Sequence, residues 1–190
     1  MARITTPPGS GNKPGLERDK IASFFEERAR RIPLLGAVKA VIYQDKHPTL
    51  AKERDAREKE ALLPLLQLDG QQRFLDVGCG TGRWYGSVRD HIAYYHGLDA
   101  SPGLLAHARE TYGESSTHRF TEMLANHLSL SKLAETNRFD RILCAGLLIY
   151  LNDDEVTETL HGFVDVATSS TRLVIREPIA LDNRLSLVDH

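Results

Sequence analysis

FLDVGCGTGRWYGSV, residues 74–88, decides how this chain is read. A short apolar run ends at an acid, Asp76, and breaks at once into glycines at alternate positions, Gly78, Gly80 and Gly82. An amphipathic stretch follows. Glycine between a strand and a helix permits positive φ and lets a ligand approach the backbone closely. The helix start beyond it offers unpaired N–H groups and the positive end of a dipole. Strand, turn and helix together make a cradle for a ligand that carries a carboxylate or phosphate.

The spacing narrows the ligand. A dinucleotide fingerprint reads G-x-G-x-x-G. This chain reads G-x-G-x-G, with an acid two positions before the first glycine. A diphosphate loop does not usually begin with a negative charge beside the phosphates, and the lysine of a P-loop is absent. A second acid, Asp99, ends the next apolar run, 99 − 76 = 23 residues further on. In doubly wound sheets that position faces the ligand crevice and accepts hydrogen bonds from a ribose diol. One acid suits a cationic amine and the other a ribose, so the pair points to a nucleoside with an amino-acid tail.

Working outward, the pattern on either side of the motif differs. Residues 1–15 are rich in Pro, Gly and Ser and read as a disordered lead-in. Residues 16–70 read as helices: an amphipathic one over 16–31 stopped by Pro33, a short apolar stretch over 34–43, and a charged one over 49–66. Residues 71–190 then alternate apolar runs with helical patterns. Strands are expected at 73–77, 93–98, 117–121, 139–145 and 171–176. Helices are expected at 82–91, at 101–112 with Ser101 as N-cap and Pro102 at the first position, at 127–135 and at 153–167. Alternation of this kind predicts an α/β fold with a doubly wound, mostly parallel sheet.

Composition bounds the function. At 190 residues and 41% hydrophobic content the chain is long enough for one substantial core. A net charge of −2 supplies no field for nucleic acid or an anionic membrane. The two cysteines, Cys79 and Cys144, read as small buried residues in a reducing compartment, and no apolar run approaches a membrane span or a signal-peptide core. A cytoplasmic enzyme is the expectation.

LDVGCGTG, GLDASPGLLAHARE and FDRILCAGLLIYLNDDE resemble the successive motifs of class I S-adenosylmethionine-dependent methyltransferases, over roughly residues 73–177. The likeness is to small-molecule members, and it implies a Rossmann-like sheet under an N-terminal helical lid. It implies that Asp76, Gly78, Cys79 and Gly80 line the pocket for the methionine portion of S-adenosylmethionine. Asp99 would hold the ribose hydroxyls, and Ala100 and Ser101 would lie beside adenine. Where family members often carry an acid for the adenine amine, this chain has Met123 and Leu124. Ala145 ends strand four, where family members direct a carbonyl toward the cofactor's amine. Trp84 either flanks the methionine end or packs the following helix, and Arg83 reads as a solvated or capping residue, with contact to the cofactor as the alternative. Tyr150, in the loop after strand four, is the candidate catalytic and substrate-contacting residue, with packing as the alternative. Tyr43 and Gln44 are candidate lid contacts to substrate. Arg176 is a candidate substrate contact, or else forms a rim ion pair with Glu177. The charged run KERDAREKE reads as the solvated face of a helix.

The resemblance stops short at one edge. The family's sheet has seven strands ordered 3-2-1-4-5-7-6, and strands six and seven are missing or incomplete here, although 184–188 could add one short strand. A truncated chain, a homodimer covering the strand-five edge, or early helices folded over that edge would each account for this. The expected activity is methyl transfer to oxygen or nitrogen of a small-molecule acceptor, leaving S-adenosylhomocysteine. The rival is a protein that binds the cofactor but works as an inactive regulatory or scaffold subunit.

Overall fold

The computed structural model describes residues 15–42 and 47–178. Its centre is β1 (Arg73–Val77), flanked by β2 (Tyr94–Asp99) and β4 (Phe139–Ala145), with β3 (His118–Glu122) and β5 (Ala167–Arg176) at the edges. The order is β3-β2-β1-β4-β5 and every pairing is parallel. Four helices precede the sheet: α1 (Arg18–Arg30), α2 (Ile32–Leu35), α3 (Ala37–Val41) and α4 (Leu50–Leu66). Three more connect strands: α5 (Tyr85–Val88), α6 (Pro102–Tyr112) and α7 (Asp153–Val166). Among the described residues, no helix is long and apolar enough to cross a membrane.

Alternate residues of each strand feed two cores. On one face Phe74, Tyr95, Leu143 and Val174 pack under Leu66 of α4, Val88 of α5 and Leu105 of α6. On the other, Leu75, Leu98 and Ile142 pack under Phe163 and Val166 of α7 and under Leu128 and Leu133. Each fully buried large side chain is worth ~2 kcal/mol of transfer free energy. A sheet covered on both faces explains why strand four reads as the near-continuous apolar run FDRILCA. Strand order reverses beside β1, so the crevice at the carboxyl ends of β1, β2 and β4 is where this architecture takes ligands.

Local chemistry sets the helix starts. Ser101 Oγ accepts the Leu104 N–H at 3.1 Å with Pro102 at the first position, so α6 begins where expected. α7 begins at a capping box in which the Asn152 N–H donates to Glu155 at 2.7 Å.

Several expectations are corrected. Residues 127–135 form no helix: a 3-10 turn covers Ala125–His127 and turns follow. Ser129 Oγ takes the Lys132 N–H, and Ala134 adopts φ 53°, so the side chains compete with helical bonding. The helix expected over 82–91 shrinks to one α-turn, α5, and a 3-10 turn, because Gly82 sits at φ 73° and cannot continue a right-handed helix. The apolar stretch from residue 34 splits into α2 and α3 at Gly36, where φ is 81°. β5 begins at Ala167 rather than 171, directly at the end of α7. The lead-in before residue 15, Tyr43 and Gln44, and the 184–188 stretch lie outside the described residues.

Candidate functional site

The glycine loop is built by backbone bonds between the ends of β1 and β2. The N–H groups of Gly78 and Cys79 both donate to the Leu98 carbonyl, at 2.8 and 3.0 Å. The Gly80 N–H donates to Asp99 Oδ2 at 2.8 Å, and the Ser101 N–H to Asp99 Oδ1 at 2.9 Å. Asp99 therefore pins the loop to the start of α6 and keeps further lone pairs on both oxygens. Burial pushes its carboxyl up against those backbone donors. The Met123 N–H donates to the Asp99 carbonyl, so Met123 and Leu124 follow at the same edge, and both are half-buried. Ala100 is exposed beside them, and Ser101 is buried.

Asp76 lies below the loop, 1% exposed. Its Oδ2 accepts the Tyr95 hydroxyl at 2.7 Å, and among the described residues it forms no ion pair. Burial raises its pKa to about 7, against the lowering effects of the Tyr95 hydrogen bond and the Arg83 charge. A buried carboxylate with spare acceptor capacity and no bonded cation is a receptor for an ammonium group. Tyr95 was missed in the sequence because it falls inside an apolar strand and nothing marks its hydroxyl as turned toward β1.

The glycines leave space that side chains would fill. At Gly78, φ is 80° and an added Cβ would lie 3.2 Å from the Leu147 side chain; at Gly80, φ is 54° and it would lie 2.9 Å from Val41 Cγ1. Leu147 belongs to the loop after β4 and Val41 to α3, so the cradle is closed from two sides. Gly80→Ala should cost about 2 kcal/mol, from left-handed backbone strain plus the Val41 clash. Thermal melts of Gly80→Ala alone and with Val41→Ala check this, and a double variant that recovers none of the loss relative to Val41→Ala would mean that α3 does not press on the loop.

Helix α1 spans the mouth. At its start, Leu16 exchanges two hydrogen bonds with Asn152, at 2.7 and 3.3 Å, and Arg18 pairs with Glu155. Further along, Phe25 meets Tyr150 edge-on at 5.1 Å between ring centroids. Glu26 Oε1 accepts the Ser101 hydroxyl at 2.6 Å and the Gly103 N–H at 3.2 Å. A Cβ on Gly103 would stand 2.8 Å from Ala29 Cβ, so only glycine lets α1 lie this close to α6. Arg28, 4% exposed, donates to the carbonyls of Ala40 and Lys39 and ties α1 to the last turn of α3. The N-terminal helices thus roof the carboxyl edge of the sheet from α6 to α7.

The other expected residues are distributed between core and crevice. Trp84 is 2% exposed in the core under α5, and Cys79 turns its Sγ into that core toward Gly97 of β2. Ala145 is half-buried at the end of β4, where the Gly146 N–H bonds the Arg176 carbonyl at 2.8 Å. Arg83 is neither solvated nor a cap: its side chain is 10% exposed between Asp55 and Glu58 of α4. The KERDAREKE run is accordingly not a purely solvated face. Arg176 pairs with Glu58 rather than Glu177. Glu177 instead takes the N–H groups of Leu147 and Leu148 on one oxygen, both at 2.9 Å, while its Oε2 is buried with no partner among the described residues.

The arrangement fits a nucleoside with a cationic amino-acid tail: a buried carboxylate without a bonded cation, a glycine cradle, and a second carboxylate at the end of β2. The family model described as a methyltransferase domain matches residues 74–169, half of the chain. Phosphoethanolamine N-methyltransferase 1 of Triticum aestivum is 25% identical over 162 residues, which cover 85% of this chain and 31% of that protein. The Zea mays enzyme of the same name is 25% identical over 151 residues, covering 78% and 28%. The chain thus spans about a third of the length of these curated relatives. A Haemonchus contortus phosphoethanolamine N-methyltransferase 1, solved with phosphoethanolamine and S-adenosylhomocysteine, superposes with a TM-score of 0.71 at 18% identity, over 84% of this chain and 32% of that one. An S-adenosylmethionine-dependent methyltransferase from Mesorhizobium loti gives 0.54 at 26% identity, over 62% and 52%. The acid–glycine loop, the acid after β2 and the matched domain lead to one conclusion: the chain belongs to the methyltransferase-domain family, enzymes that take their methyl group from S-adenosylmethionine.

Proposed function

We propose that the chain methylates a nitrogen of a small-molecule amine. S-adenosylmethionine supplies a methyl group already activated on a sulfonium, so the chain's task is to place a nucleophile and exclude water. Asp76 would accept the cofactor's ammonium, and Asp99 the ribose hydroxyls. Gly78, Gly80 and Leu147 would shape the space between them. Phe25 and Tyr150 close the roof over the loop that follows β4. The observation that carries the nitrogen assignment is the likeness to curated relatives named as phosphoethanolamine N-methyltransferases, whose substrate is the first to try. Among the described residues, Glu177 Oε2 at the carboxyl end of β5 is a buried acceptor with no donor, and an amine N–H would satisfy it.

The test is methyl transfer from S-adenosylmethionine to small amines, phosphoethanolamine included, and to the matching alcohols. Amines should react and alcohols should not. Glu177→Gln keeps a carbonyl for the Leu147 and Leu148 N–H groups but turns the second atom into a donor, and should lower kcat/KM by about 10- to 100-fold. Equal rates on alcohols, with Glu177→Gln unchanged, would sink the nitrogen assignment.

A further inference from the structure

A chain of ionised side chains runs under the glycine loop. Arg83, which follows Gly82, donates Nη1 to Asp55 at 2.8 Å and Nη2 to Glu58 at 2.6 Å. The other Glu58 oxygen faces Arg176 Nε at 2.9 Å, and the other Asp55 oxygen faces Lys59 at 2.8 Å. The side chains of Arg83, Glu58 and Asp55 are 10%, 8% and 12% exposed, so water screens these contacts weakly. Asp55 and Glu58 stand three residues apart on α4 and therefore on one helix face. A planar guanidinium gripped by two carboxylates has one orientation, and the Trp84 ring 4.9 Å away backs it.

The brace matters because the Arg83 charge acts on Asp76. Among the described residues, the groups that act on the Asp76 carboxyl are the Tyr95 hydroxyl from β2, Arg83 from the end of the glycine loop, Asp99 from the end of β2 and Glu58 from α4. The Cys79 thiol lies alongside, itself pushed up by burial and then by the Asp76 charge. Arg83 is the one cation in that set. If Arg83 were free to swing out, Asp76 would sit with acids and a phenol in a dry site and would take up a proton, losing its hold on an ammonium.

We propose that Asp55 and Glu58 are positioning residues that hold the Arg83 guanidinium as the fixed counter-charge of Asp76, so that helix α4 sets the pH range in which the site accepts the cofactor's amine. This rests on the reading of Asp76 as the amine's receptor. It gives α4, which lies outside the matched methyltransferase domain, a part in cofactor binding rather than in covering alone.

Two readouts on the same variants test it. The first follows the Asp76 carboxyl by carbon NMR in the ligand-free protein from pH 5 to 9. The second measures S-adenosylhomocysteine affinity by calorimetry over the same range. Arg83→Met should move both midpoints up by about 0.5–1 pH unit. Asp55→Ala, which acts on Asp76 only by releasing Arg83, should move both in the same direction by a smaller amount. Arg83→Lys, which keeps the charge, should stay near the parent. A brace that only holds the fold would weaken binding in Arg83→Met and Asp55→Ala at every pH with the midpoints fixed. Fixed midpoints, or a downward shift in either variant, overturn the proposal. Upward NMR shifts with an affinity that ignores pH would uphold the brace and remove Asp76 from the amine site.

Discussion

Replacing Asp76 by asparagine should weaken S-adenosylhomocysteine binding by about 30- to 150-fold, the equivalent of about 2–3 kcal/mol for a charged hydrogen bond in a dry site. Asparagine keeps an oxygen for the Tyr95 hydroxyl, so the local geometry survives while the charge is lost. The same substitution should change how stability depends on pH. The folded pKa of Asp76, about 7, lies above the unfolded value of 3.8. Between those values the folded chain holds a proton that the unfolded chain has lost, so stability falls as pH rises through the window, by up to about 4 kcal/mol. Ligand-free Asp76→Asn should therefore match the parent near pH 4 and melt higher than the parent at pH 8. Calorimetry checks the affinity, and melts at the two pH values check the sign. A variant that binds as the parent does would take Asp76 out of the cofactor site. A buried group that costs stability when ionised is the pattern expected where function sets the residue.

Glu135→Ala should be the most damaging substitution away from the site, at about 4 kcal/mol, lowering the melting temperature by ~8–16 °C. Glu135 lies beyond the turns that replace the expected helix and closes the amino edge of the sheet. Its Oε2 takes Arg73 at 2.6 Å, and its Oε1 takes His96 Nδ1 at 2.9 Å and the Tyr94 hydroxyl. His96, wholly buried, has its other nitrogen 2.7 Å from Thr121 Oγ1. Burial works to raise the Glu135 pKa, but the Tyr94 and His96 hydrogen bonds and the Arg73 charge prevail and lower it. Its contribution is therefore present above the unfolded carboxylate value and is lost as pH falls, opposite in sign to Asp76. Alanine leaves Arg73, Tyr94 and His96 without their shared acceptor. Melts by circular dichroism at pH 7 measure the loss, with S-adenosylhomocysteine affinity of the surviving folded protein unchanged. A fall of under 2 °C would show the cluster to be dispensable.

What could be read from the chain was what is local. Ser101-Pro102 states a helix start in two residues, and FDRILCA states a doubly covered strand in seven. Asp76, the glycines and Asp99 could be read together because strand, turn and next strand bring them to one edge over a short stretch of chain. Contacts between distant segments could not. Asp55 and Glu58 look like any charged helix face until Arg83 is seen against them. Glu26 and Ser101 are 75 positions apart, and neither announces the other. Trp84 beside a glycine loop reads equally as a ligand wall or a core residue, and only the packing of α5 onto the sheet decides. The helix expected over 127–135 failed because its serines bond the nearby backbone and the distant demands on Glu135 outweigh local propensity.

The contact of Gly103 with Ala29 has a consequence for how this sequence can drift. The two positions share one allotment of volume between α1 and α6, since a single methyl group added at 103 already overlaps Ala29. Enlargement at either must be matched by reduction at the other, or the roof lifts and the Glu26 bonds to Ser101 and Gly103 part with it. Residues 29 and 103 should therefore co-vary among descendants of this chain as a pair of fixed total size, with substitutions arriving in twos.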